Sequence, residues 1–84
     1  MAYHIQIEER AIKSLKRIPE PHKTHIKDSI DRLTQFTTAM GNIKALQGEY
    51  KGLYRLRTGE YRILFDVANS TITILDIFTR QKGY

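Results

Sequence analysis

The chain opens on a period of two: Tyr3, Ile5 and Ile7 fall on one side, His4 and Gln6 on the other, which predicts a first strand. From Glu8 the period changes. Ala11, Ile12, Leu15 and Ile18 recur at helical spacing, while Arg10, Lys13, Lys16 and Arg17 lie off that stripe. Acidic Glu8 and Glu9 at the start and basic residues toward the end match the helix dipole. Pro19-Glu20-Pro21 stops this helix and sets Pro21 near the first turn of a second, whose apolar stripe is Ile26, Ile30, Leu33 and Phe36. Gly41 closes the helical region, and residues 42–48 read as a loop. Three stretches then return to strand spacing, at 52–57, 60–67 and 71–78, with turns at Thr58-Gly59 and Ala68-Asn69-Ser70. The order β-α-α-β-β-β predicts an α+β domain, with two N-terminal helices packed on one face of a four-stranded, mainly antiparallel sheet.

The strand period also sorts residues between the two sides of that sheet. A two-residue loop at Thr58-Gly59 sets Arg57 opposite Glu60, Arg55 opposite Arg62 and Leu53 opposite Leu64. Lys51, Arg55, Arg57, Glu60, Arg62 and Asp66 then share one side. Tyr54, Leu56, Tyr61, Ile63, Phe65 and Val67 share the other and supply an apolar surface for the helices. Slipping the pairing by one residue would bury arginines, so the pattern excludes it. Tyr54, Tyr61, Phe65 and Phe36 match the core stripes and read as packing rather than as a base-stacking platform.

Composition narrows the class. Eighty-four residues make one domain, 1–84, too small for a large internal cavity and without internal repeats. No apolar run is long enough to span a bilayer and no signal peptide precedes the first strand, so a soluble, cytoplasmic protein with no membrane partner is expected. Absent cysteine excludes disulfides and thiolate chemistry. His22 and His25 lie three apart on the second helix and His4 in the first strand; they read as surface polar residues, and neither a metal site nor a cofactor is expected. The net charge of +5 points to a polyanionic partner.

Arg55 facing Arg62 is the feature with chemical content, because like charges set opposite one another destabilise a sheet. A phosphate between them would remove that cost, and arginine suits the task through its planar, permanently charged fork. A solvated face, screened or paired with Glu60 and Asp66, is the plain alternative. Arg80 has the parity of Asp76 and Phe78 and extends the patch. Tyr84, beside Lys82, is either a loosely packed terminal aromatic or a group that stacks on a base or moves a proton.

These residues carry a resemblance. The opening MAYHIQIEERAIKSLKRI resembles the first strand and helix of RelE toxins. The stretch KALQGEYKGLYRLRTGEYRILFDV is similar to the central segment of the RelE/ParE superfamily, and TRQKGY to its closing arginine and tyrosine. The resemblance covers essentially the whole chain. It implies the toxin of a type II toxin–antitoxin system, of the RelE-like branch, that cleaves messenger RNA on the ribosome without a metal. Its implied partners are the ribosome, messenger RNA and an acidic, partly disordered RelB-like antitoxin. By position it assigns Arg55, Arg62, Arg80 and Tyr84 to catalysis and Arg57, with Lys82, to the RNA. Leu53 stands where relatives carry a lysine general base; Lys51, of the same parity, is the substitute. The rival implied by the same superfamily is a ParE-like inhibitor of DNA gyrase without nuclease activity, and a more distant one is a non-enzymatic nucleic-acid-binding module.

Overall fold

The computed structural model describes residues 2–37 and 40–79. Strand β1 (His4–Ile7) leads to helices α1 (Glu9–Lys16) and α2 (His22–Arg32), then to a short strand β2 (Ile43–Ala45) and three longer ones, β3 (Leu53–Thr58), β4 (Tyr61–Ala68) and β5 (Thr71–Thr79). The sheet runs β1-β5-β4-β3-β2. Only β1 pairs in parallel, against β5; the other neighbours are antiparallel.

The expected α+β architecture therefore stands, with a correction in strand number: five strands, not four. Residues 43–45, read as loop, form an edge strand on β3. Three residues are too few for an alternation to show in the sequence, and the strand exists because β3 offers it a free edge. Arg57 N–H donates to the Asn42 carbonyl at 2.9 Å and Leu46 N–H to the Leu53 carbonyl at 3.0 Å, fixing both ends.

Each helix is anchored where its sequence suggests. Glu8 N–H donates to the Ile74 carbonyl at 2.9 Å, tying the start of α1 to β5. At α2 the Glu20 Oε1 accepts from Thr24 N–H at 3.1 Å and from Thr24 Oγ1 at 2.7 Å. Those two hydrogen bonds favour the carboxylate and hold Glu20 below its ordinary pKa. A 3-10 turn (Leu33–Gln35) carries the chain out of α2.

Both helices bury their stripes against one side of the sheet. Ala11, Ile18, Ile26, Ile30 and Leu33 meet Leu56, Ile63, Phe65, Ile72, Ile74 and Ile77 in a single core. Ile12, expected on the α1 stripe, is 40% exposed, because Ala11 already fills the narrow contact with the sheet. Phe36 organises an aromatic cluster: its ring lies edge-on to Tyr54 at 5.3 Å, Phe65 at 5.7 Å and Tyr3 at 5.8 Å, and Tyr54 stacks on Phe65 at 5.5 Å. Aromatic pairs in such geometry add about 0.5–1.5 kcal/mol each beyond the area they bury. Of the four aromatic residues assigned to packing, Phe36 and Phe65 are buried in the core, and Tyr54 and Tyr61 pack against it partly buried.

Candidate functional site

The hairpin β3–β4 decides what stands on the outer side of the sheet. Its turn is Gly59-Glu60, with Thr58 paired to Tyr61, rather than the expected Thr58-Gly59. Gly59 has φ +60°, and a two-residue turn of type II′ takes glycine at its first central position, not its second. The correction shifts the pairing by two residues, so every side chain keeps its side while its partner changes. Arg57 faces Arg62, Arg55 faces Leu64 and Leu53 faces Asp66. Arg55 and Arg62, expected to face one another, are diagonal neighbours instead, a separation of about 7–8 Å between such positions. Glu60 sits in the exposed turn and not on the basic side.

Strand β2 adds a cation that the sequence reading left in a loop: Lys44 is paired directly with Arg55. Two adjacent rungs thus carry like charges face to face, Lys44 with Arg55 and Arg57 with Arg62. A cleft of about 240 Å³ opens beside them, lined by Gly41, Asn42, Lys44, Arg55 and Arg57. Asn42 closes it from the edge, its Nδ2 donating to the Arg57 carbonyl at 3.3 Å. On the far side Arg62 is half-buried, with its Nη1 out of contact with solvent.

A bulge in β5 completes the outer side. Leu64 pairs with Asp76 but Phe65 with Ile74, so Leu75 is the extra residue and the alternation changes sides there. Ile72 and Ile74 point into the core, whereas Asp76 and Phe78 join Arg62 and Leu64 on the outer side. Leu64 and Phe78 are both buried despite that position, which gives the cationic cluster an apolar floor. Asp76 accepts from Ile77 N–H at 2.8 Å.

Of the residues singled out in the sequence, Arg55, Arg57 and Arg62 come together. Lys51 lies on the exposed turn that follows a 3-10 turn (Gly48–Tyr50), and Gly52 at φ +96° breaks the alternation that placed it beside Arg55. Arg80, Lys82 and Tyr84 lie outside the described residues. His4, His22 and His25 are exposed and apart from the cluster; the His22 ring rests against Tyr61 at 5.6 Å. Among the described residues no group of three metal-ligating side chains converges, and no helix is long and apolar enough to cross a membrane.

Residues 5–84 match the family described as ParE toxin of type II toxin-antitoxin system, parDE. No curated protein matches the sequence. The fold is similar to that of the RelBE2 toxin–antitoxin complex from Mycobacterium tuberculosis, with a TM-score of 0.83 at 22% identity over 95% of this chain and 100% of that one. It is similar to the archaeal RelE–RelB complex from Pyrococcus horikoshii OT3, with a TM-score of 0.82 at 27% identity over 99% of this chain and 100% of that one. A mutant of the E. coli toxin RelE in the free state superposes with a TM-score of 0.77 at 20% identity, over 99% of this chain and 88% of that one.

Proposed function

This chain belongs to the ParE toxin family of type II toxin–antitoxin systems, and from that premise we propose that it is a ribosome-dependent endoribonuclease that cuts messenger RNA and so inhibits translation. The observation that carries the reading is the pair of like-charged rungs on the outer side of the sheet, Lys44 with Arg55 and Arg57 with Arg62. Facing cations cost stability, and a phosphodiester seated over them offsets that cost.

The chemistry needs no nucleophile from the protein. The RNA 2′-oxygen attacks the adjacent phosphorus, the new P–O2′ bond forms, and the P–O5′ bond breaks with proton transfer to the departing 5′-oxygen. No metal takes part. Arg55 and Arg62 stabilise the charge that develops on the non-bridging oxygens, and Arg57 holds the backbone in line. The guanidinium group is too rarely neutral to act as base, so proton transfer falls to Tyr84. Arg80, Lys82 and Tyr84 enter this reading through the resemblance of the closing TRQKGY segment. An acidic RelB-like antitoxin would silence the toxin by covering the same cations; two of the similar structures are described as RelE–RelB or RelBE2 complexes.

The family's description as ParE supports a second reading, inhibition of DNA gyrase through a protein-binding surface. A third, a module that binds nucleic acid without cutting it, uses the same cations. One experiment separates them. The protein is incubated with programmed ribosomes, message breaks are mapped, and gyrase supercoiling is assayed in parallel. Breaks bearing a 2′,3′-cyclic or 3′-phosphate and a 5′-hydroxyl are expected. Intact message, or 5′-phosphate ends, would overturn the proposed chemistry.

A further inference from the structure

Strand β2 holds a cation with no part in the bond-breaking step assigned to Arg55 and Arg62. Lys44 is exposed, on the edge strand, one register step across from Arg55. Strands lie about 4.8 Å apart, so Lys44 stands roughly 10 Å from the β4 column that carries Arg62. Arg55 on β3 stands between the two columns. The cleft beside Lys44 is lined by three cations, an amide and a glycine, with no carboxylate. The other basic surface of the molecule differs in this respect. Along α1, Arg10, Lys13 and Arg17 border a cleft that also contains Glu9 and Asp76, and Lys13 is paired with Glu9 at 3.5 Å. The β2 cleft instead gathers three cations with no acidic residue in its lining.

We propose that Lys44, with Asn42 and Arg57 beside it, holds a second phosphodiester of the messenger strand, next to the one that Arg55 and Arg62 surround. The proposal rests on the nuclease reading for the direction of the strand, but its contact can be measured without cleavage. Geometry sets the path: the RNA backbone crosses the sheet from β4 toward the β2 edge, and successive phosphates meet successive columns of cations. A lysine on an edge strand also deters strand addition by neighbouring molecules. Any charge serves that purpose, a glutamate included, whereas a phosphodiester contact requires a cation.

The test uses a single-stranded RNA oligomer carrying a 2′-O-methyl group at the cleaved linkage. Its binding is followed by fluorescence anisotropy over a salt series, for the full chain and for Lys44→Gln, Lys44→Glu and Lys44→Arg. Loss of one phosphate contact lowers the salt slope by about 0.7 for a single strand. Affinity is expected to fall about two- to fivefold in Lys44→Gln, as for an exposed ion pair, and further in Lys44→Glu. Lys44→Arg should restore both quantities. The thermal midpoint of Lys44→Glu should not fall, because it replaces a like-charged rung with an opposite-charged one.

On programmed ribosomes, Lys44→Gln should raise KM and leave kcat within about twofold, since uniform binding is what is lost. An unchanged slope and affinity in a variant of a toxin that still cleaves would overturn the subsite and leave the nuclease reading intact. A lowered slope in a protein that never cleaves would support the phosphodiester contact while the nuclease reading fails. A change confined to vacant ribosomes, or to binding of an acidic antitoxin peptide, would also overturn the proposal.

Discussion

The two sides of one sheet obey opposite rules. On the inner side Ile63, Phe65, Ile72 and Ile74 are fully enclosed, and each neighbour is another apolar group. On the outer side Lys44 faces Arg55 and Arg57 faces Arg62, so each neighbour makes its partner less stable. Both sides share the same strands and backbone hydrogen bonds. What differs is the equilibrium each serves. Inner residues are complementary to the folded chain itself, whereas the facing outer cations gain complementarity when an anion arrives. Stability and binding are thereby separated by a period of two, and a substitution on one side should leave the property of the other nearly untouched.

Phe65→Ala should give the largest effect. Phe65 is fully buried and contacts Phe36 and Tyr54, and truncating such a ring costs about 3–5 kcal/mol. In a small domain with roughly 5–15 kcal/mol in total, that loss brings the thermal midpoint close to working temperature. Cleavage per folded molecule, measured well below the midpoint, should stay within a few-fold of the parent. A fall in kcat matching that of an outer-side variant would break the separation.

Arg62→Ala tests the converse. Removing a preorganised donor to a developing oxyanion costs about 10²–10³ in rate. Message cleavage should fall by that factor while the circular-dichroism spectrum is retained. Arg62→Lys, which keeps charge but not the planar fork, should fall between the two. Full activity in Arg62→Ala would remove the outer side from the chemistry altogether.

How much of this was legible in the sequence follows from what periodicity can encode. The inner side was, because Tyr54, Leu56, Tyr61, Ile63 and Phe65 alternate strictly and a slip of one residue would bury arginines. The pairing across the hairpin was not. A shift of two residues returns every side chain to its original side, so Thr58-Gly59 and Gly59-Glu60 satisfy the hydrophobic pattern equally well. Only the backbone preference of Gly59 at φ +60° separates them. Strand β2 was too short to show an alternation, and Lys44 was lost with it. The bulge left a trace that could have been read: in Ile72-Thr73-Ile74-Leu75-Asp76-Ile77 two apolar residues stand side by side, and the alternation resumes one step out of phase. Of the candidate site, Arg55, Arg57 and Arg62 were rightly placed together on one side, though with different partners. Lys51 was placed by a parity that Gly52 interrupts, and Arg80, Lys82 and Tyr84 rest on resemblance.

Gly59→Ala sharpens the point about pairing. The turn needs a positive φ, and an L residue in that region costs roughly 1–2 kcal/mol. Nothing lies within 4 Å of the added methyl group, so the cost is conformational and not steric. If the turn holds, Arg57 stays opposite Arg62 and activity survives with a lower midpoint. Had the turn been Thr58-Gly59, the glycine would occupy the second central position. Type II′ does not require a positive φ there, so an unchanged midpoint in Gly59→Ala would contradict the Gly59-Glu60 pairing.

The smallest effect is the most diagnostic, because its two parts have opposite signs. Arg57→Glu turns a facing pair of arginines into a facing pair of opposite charges, and such a change is worth about 0.2–1 kcal/mol on an exposed rung. Arg57 is exposed, so packing changes little, and the midpoint should rise by a few degrees at most. Affinity for single-stranded RNA should meanwhile fall and its salt slope decrease, because a cation in the path of the backbone has become an anion. A variant that is more stable and binds less well is what the contrast between the two sides demands. If Arg57→Glu were instead less stable, the facing arginines would be structural partners, and the cost that an incoming phosphate is supposed to offset would not exist.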